Sequence, residues 1–322
     1  MKNTLALKGI CLGLVFFGVI SACADSEPAP AEDVLMTDAG GHDVQDDVVA
    51  APDTGPIFLA DPPKQLGGER ASDYFVPSGY QDSESWPLLI LLHGYSASGW
   101  LQDGYFGTSA LVDEKGFFLL TPDGTRNSGG TTFWNGTGVC CDFEGSGVDD
   151  VGYLIGLIDE LSLYYNIHPG RVYLLGHSNG GYMSYRLACE AGDRITALAS
   201  LAGVTYGNPE KCTGTDPVSV LQIHGTEDGT VGYEGIGPQP GALETAQMWA
   251  AHNGCSGEGE AQESLDLEEF VAGSETDVLN WNNCADGSSV ELWSVVGGSH
   301  VPAFRETFTP MVLDYLFSKV KE

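Results

Sequence analysis

The chain has 322 residues, with 45 Asp and Glu against 13 Lys and Arg, for a formal net charge of −32. Such a surface repels phosphate backbones, which excludes nucleic acid as a partner and disfavours polyanionic substrates. The length leaves room for one large domain with a sizeable core once the amino-terminal segments are set aside.

Residues 1–23 follow the secretory pattern: Lys2 and Lys8, an apolar run from Ile10 to Ile20, then small residues. The apolar run is too short to stay in a bilayer as a spanning helix. Its end, Ile20-Ser21-Ala22-Cys23, has the form of a bacterial lipobox, which predicts lipidation of Cys23. Ordinary cleavage nearby, without lipid, is the alternative. The chain is expected to be exported, as a cell-envelope lipoprotein or an extracellular protein, touching membrane only through that anchor. Residues 24–63 are rich in Asp, Glu, Pro and Ala, and the first cation after them is Lys64. One-signed charge with low hydrophobicity cannot offset ordering entropy, so this segment reads as an acidic disordered linker. Its stretch DAGGHDVQDD does not meet the spacing of a calcium loop. Residues 64–322 remain as a single folded domain.

Within that domain, apolar strands alternate with helices. Tyr74 to Val76 closes an early strand, and Pro87 to Leu92 (PLLILL) is a buried one running into His93-Gly94. A helical stretch covers about Thr108 to Lys115, and Phe117 to Leu120 is another strand. A long loop with Trp134, Asn135 and two cysteines follows. Val151, Leu154, Ile155, Ile158, Leu161 and Leu163 predict an amphipathic helix whose start carries Asp149 and Asp150. Arg171 to Leu175 is a strand, and a helix begins at Asn179. Strands are expected at Ile195–Leu201, Ser219–Ile223 and Val290–Val296, and helices at Ala242–Ala251 and Thr309–Lys319. The alternation predicts an α/β fold: a mostly parallel central sheet with helices on both faces.

Ligands in such sheets sit beyond the strand ends. Ser178 lies there, in the sequence GHSNG between the strand at Arg171 and the helix at Asn179. A strand that turns at once into a helix strains the residue at the turn, and Gly176 and Gly180 remove the side chains that would clash. That is the G-x-S-x-G elbow, which holds a serine hydroxyl clear of the sheet. Asp228 follows a second strand in LQIHGTEDGTV, and His300 a third in VELWSVVGGSH. The order Ser, Asp, His is that of the α/β-hydrolase fold. A serine hydroxyl needs a base, supplied by His300, and the base needs an acid to fix its tautomer, supplied by Asp228. Glu227 is the rival acid; Asp228 is preferred as lying further into the loop after Gly225. His224 reads as structural, His177 as pointing away from the hydroxyl, and His168 and His252 as incidental. An oxyanion would be held by the backbone N–H groups of Tyr95, after the PLLILL strand, and Asn179, after the serine. Tyr95, Trp134 and Trp281 fall in predicted loops and are candidates to contact substrate; sealing a loop onto the domain is an equal alternative for Trp134 and the preferred one for Trp281.

Six cysteines lie beyond Cys23, an even number that suits disulfides in an exported chain. Cys189–Cys212 and Cys255–Cys284 each close a local loop, which leaves Cys140 and Cys141 to pair as neighbours. Zinc is disfavoured because paired C-x-x-C spacing is missing. No metal or organic cofactor is implied.

Four blocks of the domain, LLILLHGYSASG, GHSNGGYMSYRLACE, LQIHGTEDGTVGYEG and VELWSVVGGSH, resemble the secreted polyhydroxybutyrate depolymerase and feruloyl esterase family of α/β-hydrolases. The loop GVCCDFEGSGVDDVGYL, adjacent cysteines included, is similar too. The resemblance spans most of residues 65–322. It implies serine-dependent hydrolysis of carboxylic esters through an acyl-enzyme, with Ser178 as nucleophile, Asp228 as acid and His300 as base, and plant cell-wall esters or a polyester as substrate. Members often carry Trp-Pro shortly after the histidine. Here the segment is SHVPAFRETF, so a pocket of different shape is expected at that point. A serine peptidase on the same scaffold and an inactive, envelope-tethered binding protein are the alternative readings.

Overall fold

Leu88, Ile90 and Leu92 face one way and Leu89 and Leu91 the other, and none of the five is exposed to solvent. A strand buried on both sides belongs at the centre of a sheet, where each such side chain contributes roughly 2 kcal/mol relative to exposure. The structure, a computed structural model, describes residues 58–322. The signal-type segment, Cys23 and most of the expected linker lie outside the described residues.

In chain order the elements are β1 (Ser72–Phe75), β2 (Trp86–Leu92), α1 (Gly99–Phe106), α2 (Val112–Lys115), β3 (Phe118–Pro122), β4 (Thr125–Arg126), β5 (Thr132–Phe133), α3 (Asp150–Ser162), β6 (Ile167–His177), α4 (Asn179–Glu190), β7 (Ala197–Leu201), β8 (Ser219–Gly225), α5 (Ala242–His252), β9 (Glu260–Ala261), β10 (Thr276–Trp281), β11 (Val290–Val295) and α6 (Phe308–Phe317). Nine strands form one sheet in the order β1-β3-β2-β6-β7-β8-β11-β10-β9, and β4 pairs with β5 separately. The run from β3 to β11 is parallel, and only the outer strands β1, β10 and β9 are antiparallel. Helices α3, α4 and α5 pack on one face through Leu154, Leu157, Met183, Leu187, Ala246 and Trp249. On the other face lie α1 and α6, through Phe106, Phe308, Val312 and Leu316. The expected α/β-hydrolase architecture, with a mostly parallel sheet covered on both sides, is the one observed.

Three differences from the sequence reading have local causes. Helix α1 was not expected, because Gly99 and Gly104 and the exposed Trp100 and Leu101 mask any apolar period. Its start is fixed instead by caps: Ser98 Oγ accepts from the Leu101 N–H at 3.2 Å, and Asp123 Oδ1 from the Gly99 N–H at 2.8 Å. Trp281, expected in a loop, ends β10, a strand whose Asp277 and Asn280 blur its alternation. Folded structure also begins before residue 64, since the Leu59 N–H bonds to the Leu163 carbonyl at 2.8 Å and the Tyr74 hydroxyl to the Pro63 carbonyl at 2.6 Å.

The six cysteines are bonded as Cys140–Cys141, Cys189–Cys212 and Cys255–Cys284. The second ties the end of α4 to the turn at residues 209–211, and the third ties the residues after α5 to those after β10.

The turn from β6 into α4 leaves no room for side chains. A Cβ at Gly180 would sit inside contact distance of the Leu92 carbonyl, and one at Gly176 against the backbone of Gly180 and Gly181. Backbone atoms of a central strand cannot move aside. Gly180→Ala is therefore expected to destabilise by about 3 kcal/mol or more, read as a fall in the urea midpoint. An unchanged midpoint would mean that α4 slides freely on the sheet.

Candidate active site

Ser178 stands between β6 and α4 with φ 53° and ψ −118°. A positive φ is costly for a residue with a Cβ, and the surrounding sheet must hold it there. Its N–H donates to the Leu201 carbonyl at 2.7 Å and its carbonyl accepts from the Tyr182 N–H at 3.0 Å. Those two bonds fix the backbone and free the side chain. The hydroxyl Oγ lies 3.0 Å from His300 Nε2, and His300 Nδ1 lies 2.7 Å from Asp228 Oδ2. Asp228 and Ser178 precede His300 by 72 and 122 positions, and the three residues follow β8, β6 and β11, all strands of the parallel run.

Asp228 is 6% exposed, whereas Glu227 points to solvent. The second oxygen of Asp228, Oδ1, accepts from the N–H groups of Thr230 and Val231, both at 2.8 Å. Burial alone would raise this carboxyl. Hydrogen bonds from His224, His300, Val231 and Thr230 outweigh it and hold the group well below the usual carboxylate range. Asp228 therefore stays charged beside His300 throughout the neutral range. Proton positions on His300 follow: Nδ1–H donates to the carboxylate, and Nε2 is left to accept from the serine.

The loop after β2 lies against the elbow. A Cβ at Gly94 would stand 3.6 Å from Ser178 Cβ and 3.5 Å from His177 Nδ1. Tyr95 and Asn179 thus flank the serine, and neither backbone N–H has a hydrogen-bond partner among the described residues. Three buried side chains shape this rim; the sequence marked Asn179 for its backbone N–H and His93 only as the start of a turn, and it did not mark Gln102. Gln102 of α1 accepts from the Gly94 N–H at 3.2 Å. His93 donates from Nδ1 to the Gly94 carbonyl at 2.7 Å and accepts from the Gly124 N–H at 2.8 Å. The Asn179 amide grips the backbone of Trp134, accepting from its N–H at 2.7 Å and donating to its carbonyl at 2.9 Å. Gly124 and Trp134 lie far in sequence from the side chains they meet, and only the fold brings them to one place.

Two of the three candidate contact residues are not at an open surface. Trp134 is fully buried, its indole N–H donating to the His93 carbonyl at 3.1 Å. The indole braces the loop from beneath and cannot meet a substrate. Trp281 is 4% exposed and packs on Gly259, at the sheet's antiparallel edge. Tyr95 stays exposed and packs edge-on against Phe143, ring centroids 5.5 Å apart. Phe143 is 70% exposed and follows the cysteine pair, where nothing in the sequence marks it.

Arg70 joins the parts around the site. Its guanidinium is 2.7 Å from Asp150 Oδ1, lies over the ring of Tyr153 at 3.7 Å, and donates to the Asp123 carbonyl at 3.1 Å. Asp150 also accepts from the Asn135 N–H at 2.7 Å. So Asp150, expected at a helix start for its charge, is buried as one half of an ion pair, while Asp149 does the capping by accepting from the Gly152 N–H. Burial pushes the Asp150 carboxyl up, against the pull of Arg70.

His177 makes no hydrogen bond to the serine hydroxyl among the described residues; its Nε2 bonds to the His300 carbonyl at 3.0 Å. Burial lowers its pKa to about 4. In an unfolded chain the same group titrates near 6.5, so folding is opposed by protonation between these values. Stability is complete above about pH 6.5 and falls as the pH drops toward 4, by on the order of 3 kcal/mol from this group. Burial also lowers the pKa of His93, which adds loss of the same sign. Urea midpoints at pH 7 and pH 4.5 check this, and a His177→Gln variant should show a shallower fall. Equal midpoints at both pH values would contradict it.

Among the described residues no group of three or more potential metal ligands comes together. Nor is any helix there long and apolar enough to cross a membrane.

Comparison with protein-family models gives no match. Among curated proteins, the chain is 31% identical over 238 residues to feruloyl esterase B of Piromyces equi, covering 70% of this chain and 41% of that protein. The chain thus spans less than half the length of that relative. It is 26% identical over 253 residues to feruloyl esterase D of Neurospora crassa, covering 74% of this chain and 77% of the relative. Among solved structures, an acetyl xylan esterase from Aspergillus awamori superposes with a TM-score of 0.56 at 15% identity, covering 76% of this chain and 93% of that one. Sheet topology and the superposed esterase structure agree on an α/β-hydrolase fold, and in sequence the chain is similar to feruloyl esterases.

Proposed function

We propose that the folded domain, residues 64–322 with a short lead-in, is a serine carboxylic ester hydrolase. The observation that carries the reading is the unbroken hydrogen-bonded line from Ser178 Oγ through His300 to Asp228, 3.0 and 2.7 Å long. The relatives named as feruloyl esterases support the ester as the bond attacked.

In this reading Ser178 Oγ attacks the ester carbonyl carbon while His300 Nε2 takes the hydroxyl proton. The charge that develops on the carbonyl oxygen is held by the N–H groups of Tyr95 and Asn179, each worth about 3–4 kcal/mol in such sites. Collapse breaks the bond to the alcohol, which leaves with the proton from His300. Water then attacks the acyl-enzyme, again giving its proton to His300, and the acid departs as Ser178 regains its own. Asp228 stays ionised, fixing the imidazole tautomer and offsetting its positive charge. The exposed Tyr95 and Phe143 border the cleft and offer an aromatic edge to the acyl group.

The natural ester belongs to the feruloyl, acetyl or short hydroxyalkanoate class. Nitrophenyl butyrate, methyl ferulate, acetylated xylan, polyhydroxybutyrate and a peptide anilide form the test panel. Hydrolysis of the esters with the anilide untouched is the expected result. Cleavage of the anilide as the best substrate would make the domain a peptidase, and inertness toward every compound would make it a binding protein.

Export belongs to the same reading, with a signal at residues 1–23, lipid on Cys23 and an acidic tether beyond it. The three bonded cysteine pairs support it, because disulfides persist in oxidising compartments.

A further inference from the structure

Beneath Asp228 runs a buried chain of polar groups that the mechanism above does not use. Tyr185 of α4 donates its hydroxyl to Gln222 Oε1 at 2.6 Å. Gln222 Nε2 lies 3.0 Å from the Gly203 carbonyl and 3.1 Å from His224 Nδ1. His224 Nε2 lies 2.8 Å from the Val231 carbonyl and 3.3 Å from Asp228 Oδ2. Tyr185, Gln222 and His224 are all without solvent exposure.

The protons in this chain are determined by its ends. A carbonyl only accepts, so the Gln222 atom facing Gly203 is the amino nitrogen. Its other hydrogen goes to His224 Nδ1, which must therefore be unprotonated. The imidazole proton is then on Nε2, where the Val231 carbonyl requires a donor. His224 is thus a neutral ring held in one tautomer, with its single N–H shared between the two ends of the Asp228 loop.

We propose that His224 is a positioning residue that sets both the place and the charge of Asp228. It ties the Val231 end of the 228–231 turn to the sheet and lends a second donor to the oxygen that His300 uses. The other ionisable groups around it are Tyr233, whose ring meets it edge-on at 5.8 Å, Tyr185 through Gln222, Tyr182 and His177 near Asp228, and His300 through the shared carboxylate. From β11, Ser294 stands opposite in register. The inference rests on the proposed triad for its kinetic part and on the hydrogen-bond geometry alone for its spectroscopic part.

His224→Asn removes the donor that reaches Val231 and Asp228, while His224→Gln keeps an N–H at a similar distance. With nitrophenyl butyrate, the Asn variant is expected to lose roughly tenfold to hundredfold in kcat, as for a small misplacement of reacting groups, with KM nearly unchanged. A carboxylate with one donor fewer attracts the imidazolium more strongly, so the acid limb of kcat/KM moves to higher pH. The Gln variant should stay close to the parent in both. Proton NMR supplies a reading that needs no substrate: the His300 Nδ1 proton resonance moves in the Asn variant. That signal decides the proposal even if the chain hydrolyses no ester. Should His224→Asn not fold, proton–nitrogen spectra of the parent protein decide instead: a proton on His224 Nε2 and none on Nδ1 is expected, and the opposite tautomer overturns the proposal. A folded Asn variant with parental kcat, pH profile and His300 resonance overturns the proposal, as does a fall in melting temperature with none of these moved.

Discussion

Ser178→Ala is expected to lower kcat for nitrophenyl butyrate by roughly a millionfold while the melting curve stays where it was. Among the described residues the hydroxyl makes one hydrogen bond, 3.0 Å to His300 Nε2, and nothing in the core depends on it. The strained backbone at φ 53° is held by bonds from the main chain of Leu201 and Tyr182, which alanine keeps. His300 retains its partner on the other side, because the bond to Asp228 does not involve the serine. What remains should be the small acceleration given by the two free N–H groups and by binding alone. A phosphonate ester that labels hydroxyl nucleophiles should modify the parent at one residue and leave the variant untouched. Parental activity in a folded Ser178→Ala protein would end the assignment.

Asp228→Asn is expected to cost roughly ten thousandfold in kcat, and Glu227→Gln almost nothing. Local geometry dictates the first effect. The N–H groups of Thr230 and Val231 demand an acceptor at the Oδ1 position, so an asparagine amide must keep its oxygen there. Its NH2 then faces His300 Nδ1, which becomes an acceptor, and the imidazole proton moves to Nε2. A protonated Nε2 cannot receive the serine proton. The NH2 would also confront the N–H of His224, adding a repulsive contact that the carboxylate does not have. Glu227 is solvent-exposed, and its N–H bonds to the Gly298 carbonyl through the main chain alone. Activity at several pH values, with circular dichroism on both variants, checks the ranking. The reverse order would move the acid to Glu227.

Much of the fold and of the site was legible because the responsible signals are local. PLLILL must be buried on both faces, and a serine framed by Gly176 and Gly180 at a strand–helix junction points directly to an elbow. The strand ends that carry Ser178, Asp228 and His300 could be read for the same reason. What escaped is what depends on distant partners. Helix α1 is built on a cap from Asp123, 24 residues away from Gly99. Strand β10 owes its place to pairing with β11, not to its own alternation. Trp134 could be read equally as a cleft wall or as a loop seal because it stood in a loop; that loop folds inward and the Asn179 amide locks it there, which decides for the seal. Gln102 reaches the rim from a segment with no apolar period, and Phe143 from a loop whose likeness to the family gave that ring no role.

The cation at Arg70 has a practical meaning for anyone wishing to re-tool the cleft. Segments from four stretches of the polymer, around residues 70, 123, 135 and 150, converge on one guanidinium and its carboxylate mate. Loops near a reaction centre are often treated as exchangeable modules. Here they share a keystone, so grafting a foreign sequence into any one of them puts the other three at risk.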